Sequence, residues 1–288
     1  MMNSLVENQI IEFAGGKEIV NRETLSNAFN MRCEKFTIKK KSFVAKYYTK
    51  KIDDFNSVVS ETKSLMYLSK KFLSLFPSIK YKSKELLIIE YIKANHIKNS
   101  DYQEKLAKKI LKLHMVTNNK YGFSFDTQVG GLKQPNNYEN DWVNFFLENR
   151  LNMIFEEINK KNPMPNEINK KIQILMNDLN NRLPQNPKIS LLHGDLWEGN
   201  ILFNNGDLVS LIDPGIFFGH NEMEIAYLTW FKYTDHNFLN YYSNTIKIDK
   251  DYSHYEPIYQ LFFSLLNVHL WNRDLYLKDT NKLLKKII

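Results

Sequence analysis

Residues 191–213 limit what this chain can fold into more than any other stretch. Two short apolar runs, 201–203 and 208–212, flank Asn204-Asn205-Gly206-Asp207, a composition that predicts a β-hairpin inside a region otherwise patterned for helices. Just before it stand His193, Gly194 and Asp195, and Asn200 follows Asp195 by five residues. Burying a neutral polar group without a partner costs about 2–7 kcal/mol. Such a run therefore implies either a built hydrogen-bond network or a reaction.

The hairpin returns the chain to its starting end, so Asp213 is expected close to Asn200, with Asp195 on the adjoining loop. Oxygen donors of this kind suit Mg²⁺, which keeps waters and takes its remaining ligands from phosphates. Asp195 would then accept a hydroxyl proton and set that oxygen in line with a γ-phosphorus. Phosphoryl transfer of this type also needs a strand lysine paired with a helical glutamate. Lys46 lies in the strand-like run 42–48, and Glu61 lies in the next helix, at the margin of its apolar stripe. Alone, Lys46 reads as a surface lysine, and Glu61 as a solvated helix residue. In chain order with Asp195, Asn200 and Asp213 they form a set specific to kinase chemistry, using ATP and Mg²⁺. The backbone of Glu90, Tyr91 and Ile92 would pair with adenine.

The rest of the chain fits an α+β, bilobal, kinase-like architecture. Residues 35–48 hold two strand-forming runs around a polar turn. Phe55, Val58, Val59, Thr62, Leu65 and Met66 recur at helical spacing and predict a helix over about 54–70, and residues 85–92 follow as a buried strand. The expected small lobe is thus strand, strand, helix, strand. Helices are expected over 101–117, from the N-cap candidate Asp141, over 166–182 and over 257–272. An extended connection near 91–100 divides the chain into a nucleotide-binding lobe, 1–92, and a catalytic and substrate-binding lobe, 93–288.

Composition narrows the alternatives. No apolar run approaches the roughly 18–20 residues that span a bilayer, and the first residues lack a basic start and a cleavage site. A cytoplasmic chain without a membrane partner is expected. One cysteine, Cys33, excludes an internal disulfide and a Cys-rich zinc site. The net charge of +7 comes mostly from lysines scattered through an Asn- and Ile-rich background, which reads as solvated surface and not as a nucleic-acid site. Residues 122–126, Gly-Phe-Ser-Phe-Asp, lack the closing glycine of a nucleophile elbow. Oligomeric state is left open.

Several motifs resemble one family, the fructosamine (ketosamine-3-) kinases, relatives of the aminoglycoside phosphotransferases and choline kinases. The motif HGDLWEGN, with Trp197 after the leucine, is similar to that family's signature. So are LIDPGIFFGHNEMEIA and, upstream, YGF, GLKQPN and DWVNFFLENRL. The resemblance implies ATP-dependent phosphorylation of the 3-hydroxyl of a small-molecule or protein-bound ketosamine, which destabilises the adduct and leads to deglycation. By motif match, Asp195 is the base, Asn200 and Asp213 the Mg²⁺ ligands, Lys46 the α/β-phosphate contact held by Glu61, and His193 a brace of the catalytic loop. Trp197 either stacks on the sugar or packs the loop. Trp142, Phe145 and Phe146 read as core, His269 as a core histidine, and Glu222 and Glu224 as carboxylates favoured at the start of a helix. Where the family carries a Gly-Gly phosphate turn, this chain has Asn27 and Ala28, which lack glycine's easy access to φ > 0, although Asn tolerates the left-handed region better than most residues. Two further readings stay open: an aminoglycoside- or choline-type kinase, and a weakly active or non-catalytic nucleotide-binding protein.

Overall fold

The computed structural model describes residues 2–51 and 55–288. They pack as two compact units. One contains Met1–Asn99, Thr127–Lys133 and Gly199–Gly215; the other contains Ser100–Asp126, Gln134–Glu198 and Ile216–Ile288. The units do not follow a single cut at 92/93, because two later segments return to the first unit.

The first unit opens with helix α1 (Met2–Ala14), followed by β1 (Ile19–Ala28), β2 (Met31–Ile38), β3 (Lys41–Tyr48), α2 (Ser57–Ser69), β4 (Ile79–Lys82) and β5 (Leu86–Glu90). The five strands form one antiparallel sheet in the order β1-β2-β3-β5-β4, two strands more than the periodicity predicted. Val6, Ile10 and Ala14 recur every four residues on α1 and pack on Phe36, Ile38, Ala45, Tyr47, Leu86 and Ile88. Glycines end α1: Gly15 and Gly16 take φ +58° and +73°, and the Gly15 N–H donates to the Ile11 and Glu12 carbonyls. Because strand side chains alternate, the opposite face of the sheet carries Cys33, Lys46 and Leu87 in one cross-strand row. Helix α2 is capped by Asn56, whose Oδ1 accepts the Val59 N–H at 3.0 Å. The expected helix start at residue 54 lies outside the described residues.

The second unit begins with α3 (Tyr102–His114), where Leu106, Ile110 and Leu113 are buried as their spacing predicted. A short hairpin, β6 (Thr127–Val129) and β7 (Leu132–Gln134), comes next, with residues up to Lys133 belonging to the first unit. The Asp141 carboxylate caps α4 (Trp142–Phe146), accepting the Asn144 N–H at 2.7 Å. A π-helical turn, Leu147–Asn152, joins α4 to α5 (Met153–Lys161) and carries buried Arg150. The Arg150 guanidinium lies 3.9 Å over the Phe217 ring and donates to the Pro135 carbonyl at 2.7 Å and to Asn136 Oδ1 at 2.8 Å. The GLKQPN and ENRL segments, distant in sequence, are thereby joined.

The chain continues through α6 (Asn166–Arg182), β8 (Ile189–Leu192), β9 (Ile201–Asn204), β10 (Asp207–Leu211), β11 (Phe217–His220), α7 (Asn221–Trp230), α8 (His236–Ser243), α9 (Tyr252–Leu270) and α10 (Arg273–Ile287). Strand β11 pairs antiparallel with β8 and is buried at all four positions. Trp142, Phe145 and Phe146 are fully buried, and Trp142 Nε1 donates to the Tyr259 hydroxyl at 2.8 Å. Helix α9 starts before Pro257, which stands inside it and not at its first turn. His269 departs from its core reading: it is half-buried, just past the buried run that ends at Val268.

Candidate active site

In the first unit the predicted residues Lys46, Glu61 and Asp213 meet. Strand β3 turns Lys46 away from the α1-packed face, and its Nζ donates to Glu61 Oε1 at 2.7 Å and to Asp213 Oδ1. The Lys46 and Glu61 side chains are 5% and 1% exposed, whereas Asp213 keeps 38% of its side chain open. Desolvating two charges is expensive, and such a pair survives only with close geometry. Burial opposes the charge on Lys46, but Asp213 and Glu61 outweigh it and hold the ammonium above its usual range. Burial pushes the Glu61 carboxyl up to about 7; Lys46 pulls against this and the Asp213 charge adds to it. Cys33, opposite Lys46 in the register, is pushed up to about 12, chiefly by burial.

Hairpin geometry explains how Asp213 arrives there. Asn205 and Gly206 turn with φ +51° and +87°, and the register runs from Asp207↔Asn204 to Leu211↔Ile201. The Ile212 N–H donates to the Asn200 carbonyl at 3.0 Å, which places Asn200 and Asp213 at one end of the hairpin. Asp213 itself adopts φ +56°, a conformation that costs an L-residue about 1–2 kcal/mol. Asn200 is buried. Among the described residues no three His, Cys, Asp or Glu side chains cluster as a metal site. The Asn200 amide and the Asp213 carboxylate, at one end of the hairpin, suit a hard cation that takes its other ligands from phosphate and water.

The adenine-pairing expectation is refined. The Glu90 N–H donates to the Ser78 carbonyl at 3.0 Å, and the Tyr91 N–H to the Ser42 carbonyl at 3.2 Å. Of the three, Ile92 keeps the N–H with no acceptor among the described residues. The Glu90 side chain is exposed and bonded by Ser78, and the Tyr91 ring lies 4.5 Å from Lys35 Nζ. The left-handed turn between β1 and β2 does not fall on Asn27 and Ala28. Asn27 and Ala28 are extended strand residues opposite Arg32 and Met31, and the left-handed positions fall on Phe29 (φ +53°) and Asn30 (φ +59°).

In the second unit β8 delivers His193, Gly194 and Asp195. The Glu224 carboxylate accepts the Gly194 N–H at 2.8 Å and the His193 N–H at 3.2 Å, and lies 3.0 Å from His114 Nε2. His114 Nδ1 in turn meets the Tyr242 hydroxyl at 2.7 Å, and Asn221 Nδ2 donates to that hydroxyl at 3.1 Å. Burial alone would raise the Glu224 carboxyl, but the bonds from His114 and the Gly194 N–H outweigh it and hold it below the usual range. His193 Nδ1 accepts the Asp195 N–H at 3.4 Å, and Asp195 is largely buried. Trp197 is 39% exposed.

Glu224 is the functional side chain that sequence reasoning missed. A carboxylate at a helix start has a sufficient local explanation, and only its place in the apolar run MEIAYL hinted at more. Glu222 is likewise buried, bonded by the Tyr255 hydroxyl and the Asp249 N–H.

Glu61 gives a pH prediction. Its folded value of about 7 exceeds its ordinary 4.5, so the folded chain binds more proton between them. The stability it contributes is full below 4.5 and is lost as pH rises through about 7. Urea midpoints should fall over this window, and Glu61→Gln should flatten that part of the slope. Equal slopes for the two proteins would refute the assignment.

Comparison with known proteins identifies the family and the fold. The profile of the fructosamine kinase family matches residues 4–288. An Enterococcus faecium protein assigned as a ketoamine kinase is 31% identical over 175 residues, 60% of this chain and 62% of the relative. A Vibrio cholerae protein with the same assignment is 28% identical over 209 residues, 72% and 70% of the two chains. The crystal structure of a Thermobifida fusca protein assigned as a fructosamine-3-kinase superposes with a TM-score of 0.85 over 98% of both chains at 18% identity. The fold is therefore the kinase-like one.

Proposed function

The chain belongs to the fructosamine kinase family, and on that premise we propose that it transfers the γ-phosphoryl group of ATP to the 3-hydroxyl of a ketosamine. The observation that carries this is the buried Lys46–Glu61 pair with Asp213 on the same ammonium. No surface requirement explains a lysine held between two carboxylates, whereas a phosphate-binding lysine must be aimed and kept charged.

In this reading residues 1–92, with the returning hairpin, hold the nucleotide, and residues 93–288 supply the loop and the acceptor site. The Ile92 N–H meets adenine, and Lys46, oriented by Glu61, binds the α/β-phosphates. Asn200 and Asp213 would hold Mg²⁺, which supplies charge neutralisation on the phosphates. Asp195 orients the sugar hydroxyl and takes its proton as the oxygen–phosphorus bond forms and the bond from the γ-phosphorus to the departing ADP oxygen breaks. His193 and Glu224 keep that loop in place. The phosphorylated adduct then breaks down, releasing the amine. No described helix is long and apolar enough to cross a membrane, and we place the reaction in the cytoplasm, where ATP is supplied. The acceptor is a small-molecule or protein-bound ketosamine.

The test is ADP release with Mg²⁺ and ribulose-lysine, fructose-lysine or erythrulose-lysine, against an aminoglycoside and choline. Turnover of a ketosamine, with a 3-phosphate visible by phosphorus NMR, is expected. Turnover of the aminoglycoside or choline alone would overturn the proposal.

A further inference from the structure

Phe29 presents a puzzle that the reaction does not explain. A two-residue turn with both residues left-handed favours Asn-Gly, because a bulky side chain at φ > 0 is strained. Here the first position is phenylalanine, at φ +53° and 40% exposed. The structure shows what stands beside it. The β6–β7 hairpin turns through Gly130 and Gly131, both with positive φ, and a Cβ built on Gly131 would stand 3.5 Å from the Phe29 Cβ and 3.7 Å from its Cγ and Cδ2. The hairpin tip is itself tied down. The Gly131 N–H donates to Gln128 Oε1 at 2.9 Å, and the Gly131 carbonyl accepts the Ser57 Oγ–H at 3.1 Å at the start of α2. The Thr127 hydroxyl donates to the Gly215 carbonyl at 3.2 Å, two residues beyond Asp213. On the other side, the Asn30 carbonyl accepts the Thr49 N–H at 2.7 Å.

We propose that residues 127–133 form a clasp that holds the strained Phe29–Asn30 turn in its phosphate-binding shape, with the Phe29 side chain facing Gly131 across the space of one methyl group. The proposal rests on the kinase reading for the ligand, but its mechanical content does not. A glycine-rich turn approaches phosphate through its own backbone freedom. This chain lacks the glycines at that turn and instead fixes one conformation from outside. The tip bonds to the helix that carries Glu61, and Thr127 at the base of the same hairpin bonds to the segment that follows Asp213, so one element sets three parts of the nucleotide-side cluster in register. Phe29 and Gly131 are positioning residues in this scheme and contact no reacting atom.

Hydrogen exchange on the nucleotide-free chain tests it, with ADP and Mg²⁺ binding as the second readout. Phe29→Ala keeps the backbone strain and loses the ring; Phe29→Gly removes both. Gly131→Ala disturbs the clasp from the other side, because alanine is strained at φ +83°. All three are expected to speed exchange in residues 26–32 by about tenfold and to weaken ADP by a similar factor, since apparent affinity scales with the fraction of competent conformer. Exchange in β8 and β11 should stay unchanged, and Phe29→Tyr should behave as the parent. If Phe29→Gly protects residues 26–32 as well as the parent does, the turn stands by itself and the clasp is refuted. An unchanged segment in Gly131→Ala refutes it equally. Failure of the parent chain to bind ADP would sink the kinase reading, while the exchange comparison still decides the clasp.

Discussion

Asp195→Ala is expected to lose at least about a thousandfold in turnover, the range set by a missing general base and the orientation it provides. It should do so without unfolding. The loop is held through the backbone, by the Glu224 bonds to the His193 and Gly194 N–H groups and by the Asp195 N–H to His193 Nδ1. None of these uses the Asp195 carboxylate. The measurement is single-turnover phosphorylation beside a thermal melt. Residual phosphorylation within tenfold of the parent would remove Asp195 as the base, and a collapsed melt would make its role structural.

The second large effect comes from Lys46, and exposure decides where it falls. Lys46→Met leaves two carboxylates without their ammonium, but Asp213 is 38% open to water and Glu61 only 1%. The change therefore falls on Glu61, which without the ammonium is held protonated near neutral pH, so the loss stays below the roughly 3–5 kcal/mol of an orphaned buried charge. At about 2–4 °C per kcal/mol for a chain near this size, the melt should fall by several degrees, and further as pH rises. Lys46→Met with Glu61→Leu should recover most of that loss, since an apolar pair of similar volume often replaces a buried ion pair without cost. Turnover should remain lost in both. A single variant as stable as the parent would contradict the buried-pair account, and an active double variant would remove Lys46 from phosphate binding.

How far the molecule could be read in advance depended on whether local pattern and tertiary role coincide. Helix α6 and the β9–β10 hairpin were legible because a 3.6-residue stripe and an Asn-Gly turn are local signals. Lys46, Glu61 and Asp213 were legible only as a set, since each alone has an ordinary surface reading. Strand β1 escaped because it is a polar edge strand, exposed along most of its length and broken by two register shifts, so no alternation marks it. Helix α1 buries Val6, Ile10 and Ala14 but leaves Leu5 and Ile11 exposed, so its apolar stripe is blurred in the sequence. Glu224 stayed hidden because a local cause was sufficient for it. The left-handed turn falls on Phe29 and Asn30 because Asn27 and Ala28 are held in the β1–β2 ladder, a cross-strand constraint that no propensity encodes.

Glu224 grips main-chain atoms ahead of Asp195, so those two bonds use no side chain of the loop. Trp197, further along the loop, is exposed, and its exchange should leave those two bonds in place. Anchorage thus falls to backbone atoms, while an exposed side chain two residues past Asp195 stays open to change. Under the proposed reaction, a scaffold partitioned in this way could acquire a new acceptor by changing surface residues one at a time, each intermediate keeping its loop in place.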